Sequence, residues 1–112
     1  MKMKQGNCYL EICGSVMTNC TVLVCSCDKY EDIWYPFFSL LQKMWPDNPY
    51  PVVLNTETKS CSYQGLSVST FHLYQPGEQV NWSKRLRDHL RKIDTDYVLI
   101  LMEDFFLKAP VD

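Results

Sequence analysis

"NWSKRLRDHLRKIDTDYVLILMEDFF", residues 81–106, decides the fold. Its first half repeats apolar residues at helical spacing. Trp82, Leu86, Leu90 and Ile93 stand at i, i+4, i+8 and i+11, on one side of a helix predicted over 82–93. Asn81 suits its N-cap, because an asparagine side chain can accept from an unpaired amide of the first turn. The second half changes period. Tyr97–Met102 is an unbroken apolar run, the pattern of a parallel strand buried on both faces. A helix feeding such a strand is the second half of a crossover unit, and crossover units build parallel sheets.

Moving towards the N-terminus, the same grammar repeats. "TVLVCS", 21–26, is a short β-branched, apolar run and predicts a strand. "CDKYED" turns, and Asp28 with Glu31 has capping-box spacing. Trp34, Phe37, Phe38, Leu41 and Met44 then share one face of a helix predicted over 32–44. Pro36 fits that helix only within its first turn or at a kink. "PDNPYP", 46–51, stops it, and "VVLNT", 52–56, is the next apolar strand. Residues 57–65 form a polar loop. "LSVSTFHLY", 66–74, alternates as a half-exposed strand. In residues 1–20 "CYLEICG", 8–14, alternates like a strand, but Gly14 and Asn19 interrupt the segment. Its role is open, and the domain proper runs over 21–112. The expected fold is α/β: a Rossmann-like three-layer sandwich with a mostly parallel sheet, in which 21–26, 52–56 and 97–102 are neighbours.

Composition narrows the class. A chain of 112 residues is one domain, and 46% hydrophobic content is enough for a core. The net charge of -2 gives no attraction to nucleic acid. No apolar run reaches the ~20 residues of a membrane span, and the N-terminus lacks the apolar stretch of a signal peptide. The six cysteines, at 8, 13, 20, 25, 27 and 61, are expected to be reduced, because the core needs no staples. Cys25-Ser26-Cys27 is the one thiol pair that suggests metal or redox chemistry, and no second pair at zinc spacing supports it.

In open α/β sheets ligands bind outside the carboxyl ends of the strands. Each apolar run here exits into polar residues: Ser26-Cys27-Asp28, then Asn55-Thr56-Glu57, then Glu103-Asp104. Carboxylates at such an edge either stop the strand at the water boundary or hold a hard cation. Mg²⁺ or Mn²⁺ takes one or two carboxylates and shares its remaining positions with phosphate and water. Arg85, in the first turn of the second predicted helix, can pair with a phosphate. The remaining cations there, Lys84, Arg87, Arg91 and Lys92, read as a solvated face. His72 and His89 have no nucleophile at catalytic spacing and read as structural. The glycines, at 6, 14, 65 and 77, form no phosphate loop, and no GxSxG elbow occurs.

Several phrases, in this order and spacing, carry a resemblance. They are Ser26-Cys27-Asp28-Lys29-Tyr30, Trp34 with Pro36-Phe37-Phe38, Trp45-Pro46-Asp47, Asn55-Thr56-Glu57, Trp82-Ser83 with Arg85-Leu86, and Glu103-Asp104-Phe105-Phe106. Over 21–112 the chain resembles the N-terminal half of a bacterial glycosyltransferase-like family found in gene sets for capsule and cell-surface polysaccharide. That family is similar to GT-A glycosyltransferases. The resemblance implies a nucleotide-sugar donor, a saccharide acceptor, and a Mn²⁺ or Mg²⁺ ion at an Asp-x-Asp element. That element would be Glu103-Asp104, with Asp104 the better ligand, since the second aspartate of the pattern falls at Phe105. It further implies nucleotide contacts from Ser26, Asp28, Thr56 and Glu57, with Arg85 near the diphosphate. The acceptor half and its catalytic base would follow Asp112, so the chain is expected to be the donor-binding half, inactive by itself, cytoplasmic or at the inner face of the membrane, and a homo-oligomer if the chain is truly this short. The alternative is a non-catalytic α/β interaction module presenting Trp34, Tyr35 and Trp45 to a partner.

Overall fold

A computed structural model describes residues 19–104 and 106–111. It contains a four-stranded, all-parallel sheet and two α-helices. In chain order the elements are β1 (Cys20–Cys25), a 3₁₀ turn (Asp28–Tyr30), α1 (Glu31–Met44), β2 (Val52–Asn55), β3 (Val68–Ser69), α2 (Trp82–Lys92) and β4 (Tyr97–Met102). The spatial order is β3-β2-β1-β4. Val22 lies beside Val52 on one side and Leu99 on the other. The fold is α/β and Rossmann-like, and the three expected apolar strands are parallel neighbours. The strand read into 8–14 lies outside the described residues.

Alternation along β1 divides the core into two layers. Val22 and Val24 face α1, where Trp34, Phe37, Phe38 and Leu41 are buried with Val52 and Leu54. Their i, i+3, i+4, i+7 spacing is what a helix needs to lie flat on a sheet. Leu23 and Cys25 face the other way, with Val53, and there Leu86 of α2 and Ile93, its C-cap, pack against them. The helices therefore cover opposite faces, as right-handed crossovers running in opposite directions from β1 require.

The loop between β2 and β3 does the work of a helix on the α1 face: its Cys61, Tyr63 and Leu66 pack on that core. Gly65 makes this possible. It sits at φ +96°, and a β-carbon there would strike the Gln42 side chain, so only glycine meets both demands.

Five sequence expectations change. The strand expected over 66–74 shrinks to Val68–Ser69, since it pairs only with β2 at the sheet edge and its neighbours turn away. The capping box does not form: the N-cap of α1 is Tyr30, with no side-chain bond, because the Asp28 carboxylate is engaged elsewhere. Pro36 is the sixth residue of α1 and exposed, beyond the first turn. The apolar stripe of α2 is not its innermost row: Arg85 and His89 are buried, while Trp82 and Leu90 are exposed. β4, expected to be buried on both faces, leaves Tyr97 and Ile100 exposed, because β1 is its one partner among the described residues.

Candidate functional site

All four strands point the same way, so their exits share one edge. The direction of winding reverses at β1: α1 leads from it towards β2, and α2 brings the chain back to β4 on its other side. The crevice between the carboxyl ends of β1 and β4 is thus the topological switch point, where open α/β sheets bind ligands. Ser26-Cys27-Asp28 and Glu103-Asp104 flank it.

Arg85 anchors the edge from below. It is 4% exposed. Its Nε donates to Asn55 Oδ1 at 3.1 Å, one Nη to the Ser26 carbonyl at 2.8 Å, and the other lies 3.4 Å from the Glu57 carboxylate. A buried guanidinium is tolerable only when its donors are met this fully. Glu57 also accepts from the Asp28 amide at 2.7 Å. Asp28 in turn accepts from the Thr58 hydroxyl at 2.6 Å and from the amides of Thr58 and Lys59, the latter at 2.9 Å. Burial opposes the charge on Asp28, but the Thr58 hydroxyl and the two amides outweigh it and hold its pKa below the ordinary carboxylate value. The indole of Trp34 donates to Ser26 Oγ at 2.7 Å, and the Thr56 hydroxyl bonds the Lys59 carbonyl.

Ser26, Asp28, Thr56, Glu57 and Arg85 therefore do converge. Ser26, Thr56 and Arg85 are buried, and they form the floor of the edge. Asp28 and Glu57 are half-buried on its rim. Sequence reasoning did not single out Thr58 and Lys59 as partners of Asp28, nor Asn55 as the link between Arg85 and Cys25, whose thiol receives an Asn55 N–H at 3.6 Å. A polar residue closing an apolar strand was the available signal for Asn55.

The two carboxylates after β4 part company. Glu103 is 6% exposed, whereas Asp104 is exposed. They do not form a shared pair of ligands, and the described residues contain no group of three or more His, Cys, Asp or Glu side chains able to hold a metal. A hard cation that takes most of its oxygens from phosphate and water needs only one carboxylate from the protein. Asp104 fits that limited role and Glu103 does not.

Among the described residues the thiols give no competing site. Burial pushes the Cys25 thiol up, and the Glu103 charge adds to it against the Asn55 bond and the Arg85 charge, so Cys25 is a poor thiolate ligand. Cys20, Cys25, Cys27 and Cys61 are all free; Cys8 and Cys13 lie outside the described residues. Trp34 is core rather than partner surface, and Trp45 is partly buried, leaving Tyr35 as the exposed member of that trio. His72 is exposed, while His89 is buried against Phe71 and Tyr74.

No family model, curated protein or solved structure matches this chain. Among the described residues no helix is long and apolar enough to cross a membrane.

Proposed function

We propose that the chain is the donor-binding half of a glycosyltransferase-like protein. It binds a nucleotide-sugar along the carboxyl edge of the sheet, for transfer to a saccharide acceptor. One observation carries this reading: the switch point between β1 and β4 is flanked by acidic residues on both sides, Asp28 and Asp104. Asp28 and Glu57, on the rim, would meet the nucleoside. Glu57, which among the described residues meets only the Asp28 amide and Arg85, has acceptor capacity left for ribose hydroxyls or a base N–H, whereas both oxygens of Asp28 are already engaged by Thr58 and Lys59. Ser26, Thr56 and Arg85 hold that rim in shape and touch the ligand little.

Asp104 would hold Mn²⁺ or Mg²⁺ together with the donor diphosphate. When bound, the cation neutralises charge that carboxylates alone would repel. The reading sets the protein in the cytoplasm, where free thiols persist.

Calorimetric titration with uridine diphosphate tests it. Binding is expected with Mn²⁺ and is expected to be lost in EDTA, and Asp104→Asn removes the dependence on metal. Equal binding with and without metal, or none at all, would leave these carboxylates as an ordinary end to the strands.

A further inference from the structure

The outer flank of α2 poses a separate problem. Trp82, Leu86 and Leu90 form one i, i+4, i+8 row, the strongest apolar row of that helix in the sequence. Yet the helix is rolled so that Arg85 and His89 point innermost, drawn by the Asn55, Ser26 and Glu57 oxygens that Arg85 requires. Trp82 stays 46% exposed and Leu90 37%. The next row is Ser83, Arg87 and Arg91. Between the two rows runs a groove of about 370 Å³, lined by these six residues alone. Ile100 of β4, on the same face of the sheet as α2, is 44% exposed.

Grooves between i±4 rows are the surfaces into which the ridge of another helix packs. The border of this groove is cationic on one side. Among the described residues neither Arg87 nor Arg91 has an ion-pair partner. Two arginines one turn apart match carboxylates spaced likewise on a facing helix. The same charges argue against a second copy docking α2 on α2, which would oppose arginine to arginine across a two-fold axis.

We propose that the Trp82–Leu86–Leu90 flank, bordered by Arg87 and Arg91, docks an amphipathic helix of a partner protein whose apolar stripe is edged by carboxylates. The tryptophan supplies a large, rigid anchor and the arginines select the partner by charge.

The test uses the full chain and two labelled synthetic helices with the same leucine stripe, one edged with glutamates and one with lysines. Anisotropy is expected to show saturable binding of the glutamate helix alone. Arg87→Glu with Arg91→Glu, both exposed positions, should weaken it about tenfold and let the lysine helix bind instead. Trp82→Ala should weaken the glutamate helix on the parent chain and the lysine helix on the charge-reversed one, and circular dichroism checks that every variant is folded. Four results overturn the proposal. One is failure of the glutamate helix to bind, and a second is equal binding of both helices. A third is sedimentation that shows the chain dimerising through Trp82, making a second copy the occupant. The fourth is resistance of Trp82 to acrylamide quenching in the free chain, which would mean that the chain covers its own flank.

Discussion

Replacing Arg85 by methionine keeps much of its bulk but removes every donor it offers. The Ser26 carbonyl and Asn55 Oδ1 then stay buried without their partner, and Glu57 loses its cation. Removing one side of a buried charged network costs about 3 kcal/mol or more, so urea unfolding of Arg85→Met should register a loss of that order. A loss below about 1 kcal/mol would mean that water replaces the guanidinium readily. His89 gives a pH signature on the same helix. Its Nδ1–H donates to the Arg85 carbonyl at 2.9 Å, and its Nε2 is buried with no partner among the described residues. Burial, then the Arg85 charge, lower its pKa below 6.5, against the Arg85 carbonyl and Asp88. The unfolded chain therefore takes up a proton near pH 6.5 that the fold refuses. Stability falls as pH drops from there towards the folded value. His89→Leu should flatten that slope as the pH falls below about 6.5, above the range where Asp28 titrates. Neither role was legible in the sequence. The sequence marked Arg85 for a phosphate and His89 as structural, but not the bonds that bury them, because the partners of Arg85 lie about 30 to 60 positions away.

At the scale of elements, local patterns were legible where one neighbour decided them. Asn81 caps α2 as its residue type suggests, accepting from the Lys84 amide at 2.8 Å. Asn81→Ala should cost about 1 kcal/mol in thermal or urea unfolding. The face of α1 was equally clear, because its aromatic residues are too large to sit anywhere but on the sheet. The roll of α2 was not legible. Apolar periodicity identifies the face most easily buried, yet one buried cation with fixed partners turned the helix away from it. The covering loop of 56–67 was hidden for a related reason: its polar composition masks Tyr63 and Leu66, which pack on the α1 core. Gly65→Ala tests that cover. It combines a left-handed backbone with a clash against Gln42, and a loss greater than the roughly 1 kcal/mol of backbone strain alone is expected. A stability equal to that of the parent chain would mean that the loop shifts freely over the core.

The strand order belongs to the whole molecule. Alternating apolar strands and helices implied a parallel sheet, but not that β4 would return to the far side of β1. That return creates the switch point and sets Asp28 and Asp104 on its two sides. It also separates two carboxylates adjacent in sequence, which a pairwise reading of Glu103-Asp104 treated as one element. Glu103 is buried beside the end of β1, near enough for its charge to raise the Cys25 pKa; Asp104 is exposed. Their conservative variants should therefore separate by readout. Glu103→Gln alters a buried charge near Cys25, so it should change the unfolding midpoint while uridine diphosphate still requires Mn²⁺. Asp104→Asn removes an exposed charge with little change of shape, so the midpoint should hold within about 0.5 kcal/mol while the requirement for Mn²⁺ disappears. Unfolding curves and metal titrations of both variants decide between them. If Glu103→Gln alone abolished the metal requirement and left stability intact, Glu103 would be the ligand and must turn outward when the donor binds. If neither variant altered either measurement, the acidic exit of β4 would do no more than end a strand at the water boundary.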